Sequence, residues 1–412
     1  MSAVPRQRSG AGQLHRWAAI LPIAVLVGII SGTFHAFSVF FVPVTAEFGW
    51  NSAATSSIFS LSQLLNLLSS VPGGRLSDIW DPSSIMMGGA AIFAIGIAAM
   101  SVAQSLAHAL VFYGFFVGIG LGTTWTPAMA AVNRLFAHSR GWAMGVITTM
   151  NSAWVATVGL AVRTLVNTMG WRTGYVIYGL ILGAITLCAA WLTRRTLQAQ
   201  APLLAPTPEA GQMTAGLTLG QSLRSPQLWL LLLGALCSGL AGSILLIHLV
   251  PFAVSDGLPE TVAAVALTAF GLARVPASIG LGWLSDRVNR ATLLGCVMAI
   301  ASAAIFALYL LGPSRFLMPT AIIFGLGWSA SVMLFAPLTG DMFGEEHIGG
   351  IYGIINAGFT GGTVAGPILA GYVHDTTGRY GPVVVMAALT FLMAAGALFT
   401  IRAIRHRERQ AR

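Results

Sequence analysis

Lysine is missing from this 412-residue chain, and all 21 of its basic residues are arginine. Charge of either sign is scarce, at 8% of residues, where a soluble domain carries about 25%. A chain so poor in charge cannot cover a water-facing surface. Cysteine is scarce too. Cys188, Cys237 and Cys296 lie singly in apolar runs, without metal-ligand spacing or a disulfide pattern, so simple packing is their expected role. The metal-binding His-Glu-x-x-His, the nucleophile elbow, the phosphate loop and the dinucleotide fingerprint are absent. Enzyme chemistry and ATP-driven transport by this chain are therefore unsupported, and neither an enzyme activity nor a cofactor is expected. The net charge of +9 comes without a basic helical face or aromatic stacking pattern, so nucleic acid is not an expected partner.

What the chain has in abundance is apolar sequence, at 56% of residues. A helix crossing about 30 Å of hydrocarbon needs roughly 20 apolar residues. Spans of that kind fall near 18–42, 53–73, 84–105, 108–133, 142–166, 173–193, 227–252, 259–283, 291–311, 316–338, 349–372 and 381–402. The first exceeds a signal-peptide core and is followed by more helices, so it reads as a first span and not a cleaved leader. The expected fold is an all-α membrane protein of twelve transmembrane helices in two six-helix bundles. Residues 1–17 form a tail, 18–193 the first bundle, 194–226 a linker, 227–402 the second bundle and 403–412 a basic tail. The linker holds Pro202, Pro206 and Pro208, and 218–224 suggests a short surface helix. Gly114, Gly118 and Gly122 make a four-residue ladder of the kind that lets helix backbones approach closely.

The arginines fix an orientation. With both termini inside, 16 fall in cytoplasmic segments, three (Arg172, Arg315, Arg379) outside, and two (Arg163, Arg274) within spans. That bias predicts cytoplasmic termini and an even number of spans in a cell (inner) membrane.

The halves repeat. Gly74-Arg75-Leu76-Ser77-Asp78 follows span 2, and Gly282-Trp283-Leu284-Ser285-Asp286-Arg287 follows span 8. The two Asp lie 208 residues apart, as do Gly145 and Gly353; Arg172 and Arg379 lie 207 apart. Internal duplication marks many secondary transporters, whose substrate site lies at mid-membrane between the repeats.

The Gly-x-Leu-Ser-Asp-Arg loop, with Arg290 beyond it, resembles the loop signature of the major facilitator superfamily. The first copy departs from it at Ile79 and Asp81. The resemblance implies that Asp78, Asp286, Arg287 and Arg290 bridge helix ends on the cytoplasmic side and steady an outward-open state. A finer resemblance is to the monocarboxylate transporter family and its bacterial oxalate/formate-exchanger relatives. It rests on Phe40-Phe41-Val42-Pro43 with Glu47-Phe48-Gly49-Trp50, Gly118-x-Gly-x-Gly122 with Trp125-Thr126-Pro127, His248-Leu249-Val250-Pro251-Phe252, and Ala273-Arg274-Val275-Pro276.

Arg274 lies roughly 4–5 Å from the midplane at about 1.5 Å per residue, where an arginine costs about 2.5–3.5 kcal/mol on insertion scales. Its span holds no acidic residue but Glu260 at the start. Guanidinium matches a carboxylate bidentately, and the resemblance places a substrate-binding arginine here; a structural role bonded to carbonyls is the other reading. Thr123 and Trp125 match family positions for substrate contact. Asn151, Trp328, Ser329, Tyr352 and Asn356 are further polar or aromatic mid-span candidates, each open to a packing role. Arg163 suits snorkelling to the interface or a second positive site. The Asp that the proton-coupled animal members carry four residues before the span-8 arginine is Phe270 here, and the family lysines of spans 1 and 11 are missing. His35 is a candidate replacement for proton coupling, and His248 a candidate for gating or packing.

The expected function is secondary transport of a small organic anion, a monocarboxylate such as lactate or pyruvate, by alternating access with proton symport or anion exchange, in a chain working as a monomer. Export of a neutral or amphiphilic solute, dicarboxylate/monocarboxylate exchange, and a non-transporting receptor for the same ligand stay open as rivals.

Overall fold

A computed structural model of the chain describes residues 10–50, 52–136, 139–204 and 216–410. Twelve long helices and one short helix run through the described residues. The first half holds α1 (Gly10–Phe48), α2 (Ser52–Ile79), α3 (Pro82–Ala99), α4 (Leu106–Leu135), α5 (140–169) and α6 (171–204). The short α7 (Leu219–Leu223) precedes α8 (Pro226–Ser255), α9 (Glu260–Ser285), α10 (Arg290–Leu311), α11 (Pro313–Phe343), α12 (Ile348–Thr377) and α13 (Gly381–Gln410). Only Gly170, with φ 78°, breaks the otherwise continuous stretch of α5 and α6; L side chains rarely adopt that conformation, so glycine makes the turn. Helix α6 continues to Leu204, beyond the expected start of the linker at 194.

Helix starts follow the sequence. Asp81 caps α3, accepting from the Ser83 amide with Pro82 at the first helical position. Asn289, 208 residues on, caps α10 through the Thr292 amide at 3.0 Å. The apparent defect at Asp81 in the first loop copy is therefore a working N-cap. Thr218 and Gln221 form a capping box on α7.

Eight of the described helices are long and apolar enough to cross a membrane. Among the described residues α1 shows the shorter apolar stretch Ile20–Thr33, and α2 and α12 are the long helices whose composition is too polar to qualify. Helices α2 and α12 turn much of their surface toward the other half or a central cavity, so small and polar residues replace leucine there. The outside of the bundle carries the apolar load, with Leu180, Leu272 and Leu310 exposed.

The halves meet through two crossings. In α5 against α9, a Cβ built on Gly282 would lie 2.6 Å from the Gly141 carbonyl oxygen, and one on Gly145 would lie 2.5 Å from that of Ser278. In α2 against α12, a Cβ on Gly353 would lie 2.7 Å from the Ser70 oxygen, and Gly74 packs on Gly349. Adding 208 to Gly74, Ser70, Gly141 and Gly145 gives Gly282, Ser278, Gly349 and Gly353. The two crossings are one interface used twice. The glycine ladder of α4 serves packing within the first half, with Gly118 and Gly122 against the backbone of α2 at Ser62 and Asn66.

At the end far from Asp78 and Asp286, Glu47 ties the first half together. It accepts from Trp171 Nε1 at 2.5 Å and from Arg172 Nη2 at 2.8 Å, and Arg172 Nη1 also donates to the carbonyls of Ser101 and Ala103. The Arg172 hydrogen bond holds the Glu47 carboxyl below its ordinary value of 4.5. Ser255 stands at the equivalent position in the second half, and Arg379 is exposed, its hydrogen bonds among the described residues running from its backbone to the Thr377 hydroxyl. The matching arginines are alike in sequence and unlike in contacts.

Two outcomes follow. Gly74→Val or Gly282→Val should push the halves apart where Arg75 and Arg287 emerge. Spin labels on those two exposed residues should then report a longer mean distance than in the parent; an unchanged distribution would show that close backbone approach does not hold this end shut. Because the Glu47 carboxyl titrates low, its stabilisation is complete above pH of about 4.5 and is lost as pH falls through the lowered folded value. Glu47→Gln should therefore lower the melting temperature at pH 7, with the difference from the parent shrinking toward pH 3.

Candidate functional site

Between the halves lies a cavity of about 950 Å³. Helices α1, α2, α4 and α5 line one wall, and α8, α9, α11 and α12 the other. Its floor is polar and crosses the interface: Trp125 Nε1 donates to the Tyr352 hydroxyl at 3.4 Å, and Asn356 Nδ2 to Ser70 Oγ at 3.0 Å. From the floor the lining extends to Phe37, Phe59, Ile247 and Ile368 at the far end.

Below the floor the molecule is shut. Asp78 accepts from the amides of Gly349 (2.8 Å) and Gly350 (2.7 Å), the first turn of α12. Asp286 accepts from the amides of Gly141 (2.8 Å) and Trp142 (2.9 Å), the first turn of α5. Each carboxylate thus caps a helix belonging to the other half, where free amides and the helix dipole favour negative charge. Basic partners complete both sites. Arg134 pairs with Asp78 at 2.5 Å, and Arg290 pairs with Asp286 at 2.6 Å and also with Asp341. Arg140 joins Asp341 (2.7 Å) and Glu345 across the interface. Among the described residues, the hydrogen bonds and ion pairs that join the halves all lie between the floor and this end.

One sequence expectation changes here. Among the described residues Arg287 bridges no helix ends: it is exposed, donates to the Trp283 carbonyl and lies 3.7 Å from that ring's centroid. Its neighbour Arg290 makes the bridges. Arg134, Arg140, Asp341 and Glu345 were not singled out from sequence, because pairing across some 200 residues leaves no local motif.

Arg274 sits in the wall of the cavity. Its residue is 7% exposed, its Nε has no partner, and no carboxylate or carbonyl among the described residues meets its guanidinium. The Phe270 ring faces it, with Cζ 5.7 Å from the ring centroid. The backbone beneath is fixed, since Ser278 and Ser329 both donate to the Arg274 carbonyl. Among the described residues lining the cavity, Arg274 is the one charged side chain, and none is Asp, Glu, Lys or His.

Other candidates divide. Trp125, Asn151, Trp328, Tyr352 and Asn356 line the cavity. Asn151 is 6% exposed and its Oδ1 lacks a partner. Thr123 does not line it: its hydroxyl donates to the Ile119 carbonyl, and its side chain packs against Gly73 and Gly89. Ser329 is fully buried and supports Arg274 from behind. His248 lies outside the lining, beside Tyr380, with ring centroids 5.9 Å apart. Arg163 is exposed and away from the cavity, which removes it as a second positive site there. The His35 side chain lies outside the described residues. Asn66 and Gln63 line the cavity too, and the 208-residue offset would have pointed to Asn66, since it stands 208 before Arg274.

Comparison with known proteins agrees with this architecture. The chain is 25% identical over 402 residues to the oxalate:formate antiporter of Oxalobacter formigenes, covering 96% of this chain and 94% of that one. It is 26% identical over 389 residues to monocarboxylate transporter 13 of Rattus norvegicus, covering 93% and 88%. Among solved structures, a single-substitution variant of the E. coli fucose:proton symporter FucP superposes with a TM-score of 0.71 at 17% identity, over 93% of this chain and 99% of that chain. FucP in the outward conformation gives 0.70 at 18% identity, over the same shares. The Major Facilitator Superfamily model matches residues 23–356 and again 254–412. With two pseudo-equivalent six-helix halves around one cavity, the chain belongs to the Major Facilitator Superfamily.

Proposed function

We propose that this transporter carries a small monocarboxylate, such as lactate or pyruvate, and that Arg274 binds its carboxylate. The observation that carries this reading is a buried guanidinium, without a partner among the described residues, in the wall of the central cavity. An ion held away from water without a partner costs several kcal/mol. A planar carboxylate offset by two charge-assisted hydrogen bonds relieves that cost and fits the guanidinium fork. Trp125, Trp328 and Phe270 supply apolar walls for the rest of the substrate. The monocarboxylate transporters among the relatives, and formate in the antiporter's name, support the same class of cargo, while oxalate in that name is a dicarboxylate.

The charge count selects valence. One cation neutralises one carboxylate; a dicarboxylate would leave a net negative charge in a cavity without a second cation among its described lining. The count also bears on coupling. An empty carrier that occludes must enclose an unpaired guanidinium, whereas a loaded one encloses a neutral pair. The return step is then fast only with a second anion aboard, which makes exchange the favoured mode.

The arginine bias assigns the Asp78/Asp286 end to the cytoplasm, with both termini there. Arg75, Arg134, Arg140, Arg287 and Arg290 all gather at that end. In that orientation the described conformation faces outward, closed beneath its floor. The cavity is walled by the two halves of one chain, so a monomer suffices.

Counterflow of labelled lactate into liposomes tests the anchor. Arg274→Ala removes two hydrogen bonds to a charged group, together worth about 3 kcal/mol or more, so transport should fall about a hundredfold or more. Parent-like transport by the variant would defeat the assignment. Efflux of preloaded lactate should be fast with lactate or pyruvate outside, and slow into buffer alone or with oxalate outside. Equal efflux into plain buffer would exclude exchange.

A further inference from the structure

The register of the two crossings extends upward from the shut end. Asn66 stands two turns above Gly74 on α2, as Arg274 stands two turns above Gly282 on α9. Adding 208 to Asn66 gives Arg274. The pseudo-symmetry therefore sets Asn66 at the same depth as Arg274 on the opposite wall, and both line the cavity. Close packing of Gly122 against the Asn66 carbonyl fixes this part of α2.

Local hydrogen bonding determines which atoms Asn66 presents. Asn66 Nδ2 donates to Gln63 Oε1 at 3.4 Å. Its own Oδ1 is buried and has no partner. Gln63 is 5% exposed, and its Nε2 makes no hydrogen bond among the described residues. The pair thus offers one unused acceptor and one unused donor. Gly271 occupies the position equivalent to Gln63, so the second half has no matching pair.

We propose that Gln63 and Asn66 form an uncharged subsite that binds a substrate hydroxyl remote from the carboxylate. A hydroxyl is the small group that satisfies both atoms, donating to Asn66 Oδ1 while accepting from Gln63 Nε2. A keto oxygen or second carboxylate accepts only and leaves Asn66 Oδ1 unpaired; a methyl group leaves both unpaired. The preferred cargo is then a hydroxycarboxylate spanning the cavity, with its carboxylate on one half and its hydroxyl on the other. This refinement rests on the reading of Arg274 as the carboxylate anchor. It gives the pseudo-equivalent positions complementary tasks, one for charge and one for hydrogen-bond pattern.

Titration calorimetry on the purified full chain tests it with three pairs. These are 3-hydroxypropionate against butyrate, 4-hydroxybutyrate against pentanoate, and 5-hydroxypentanoate against hexanoate, in each of which a methyl replaces the hydroxyl. In at least one pair the hydroxy acid should bind about tenfold more tightly, the scale of one buried hydrogen bond made or left unmade. Asn66→Leu should bring that ratio to within about twofold while the alkyl acid binds as it does to the parent, which also reports an intact fold. Gln63→Leu should do the same. Arg274→Gln should abolish binding of both members of each pair. A ratio near one in every pair with the parent, or a ratio preserved in Asn66→Leu, overturns the subsite while leaving the anchor in place. Binding unaffected by Arg274→Gln, with the ratio still dependent on Asn66, overturns the anchor alone. Failure of all six acids to bind the parent overturns both.

Discussion

The conformation depends on two carboxylates, each capping a helix that belongs to the other half. Asp78 holds the first turn of α12 and Asp286 the first turn of α5, through two backbone amides apiece. Such a bond forms only if the helices approach to backbone distance, and glycines at 74, 141, 282 and 349 permit that approach. Neither element is sufficient by itself. Without the glycines the carboxylates could not reach the amides; without the carboxylates, four orphan donors would be buried unpaired. Because the bonds run between halves, they are intact only when this end is shut. The same groups that make the fold symmetric thus bias one of its conformations.

Symmetry at the shut end gives way to asymmetry higher up. The basic partner of Asp286 follows four residues later at Arg290, whereas that of Asp78 arrives from α4 as Arg134. At cavity depth the equivalent positions hold Asn66 and Arg274. A repeated frame needs the same backbone geometry twice, but a binding site needs different chemistry on its two walls. Positions whose side chains meet the partner's backbone are matched, and positions whose side chains face the cavity have diverged. The Glu47–Trp171–Arg172 clamp, present in one half only, belongs to the divergent set, since it fastens a half internally and never meets the other.

Much of this was legible in the sequence. The spans followed from apolar length, the two halves from the 208-residue offset, and Arg274 from the cost of an arginine at mid-membrane. The spans missed helix lengths because polar turns continue a helix past the hydrocarbon, as at Ile79 and Leu204. Helix faces were harder. Thr123 and Trp125 are two residues apart, so about 200° separates them around an α-helix; Trp125 meets the cavity and Thr123 meets α2 and α3. Arg287 fitted the loop motif, yet the chain leaves its helix there and turns it outward onto Trp283, and Arg290 at the start of α10 reaches the carboxylates. Only the fold reveals pairs such as Arg140 with Glu345, whose partners share no local pattern.

The cavity floor shows why several candidates resist a single label. Trp125 with Tyr352, and Asn356 with Ser70, join the halves directly above the sealed end, while Trp125, Tyr352 and Asn356 also line the cavity. For the cavity to open through the floor, both bonds must break, so these side chains pass from partners across the interface to exposed polar groups. Any substrate group that satisfies them in the open arrangement lowers the cost of that passage. Ligand can shift the balance between conformations only through such differential contacts. On the function proposed above, a residue of the floor is a gate and a binding group by the same atoms, and its two roles are separated in the transport cycle instead of in space. Arg274 differs, because its guanidinium has no partner among the described residues to release; on the function proposed above, its charge calls for an anion in every occluded state.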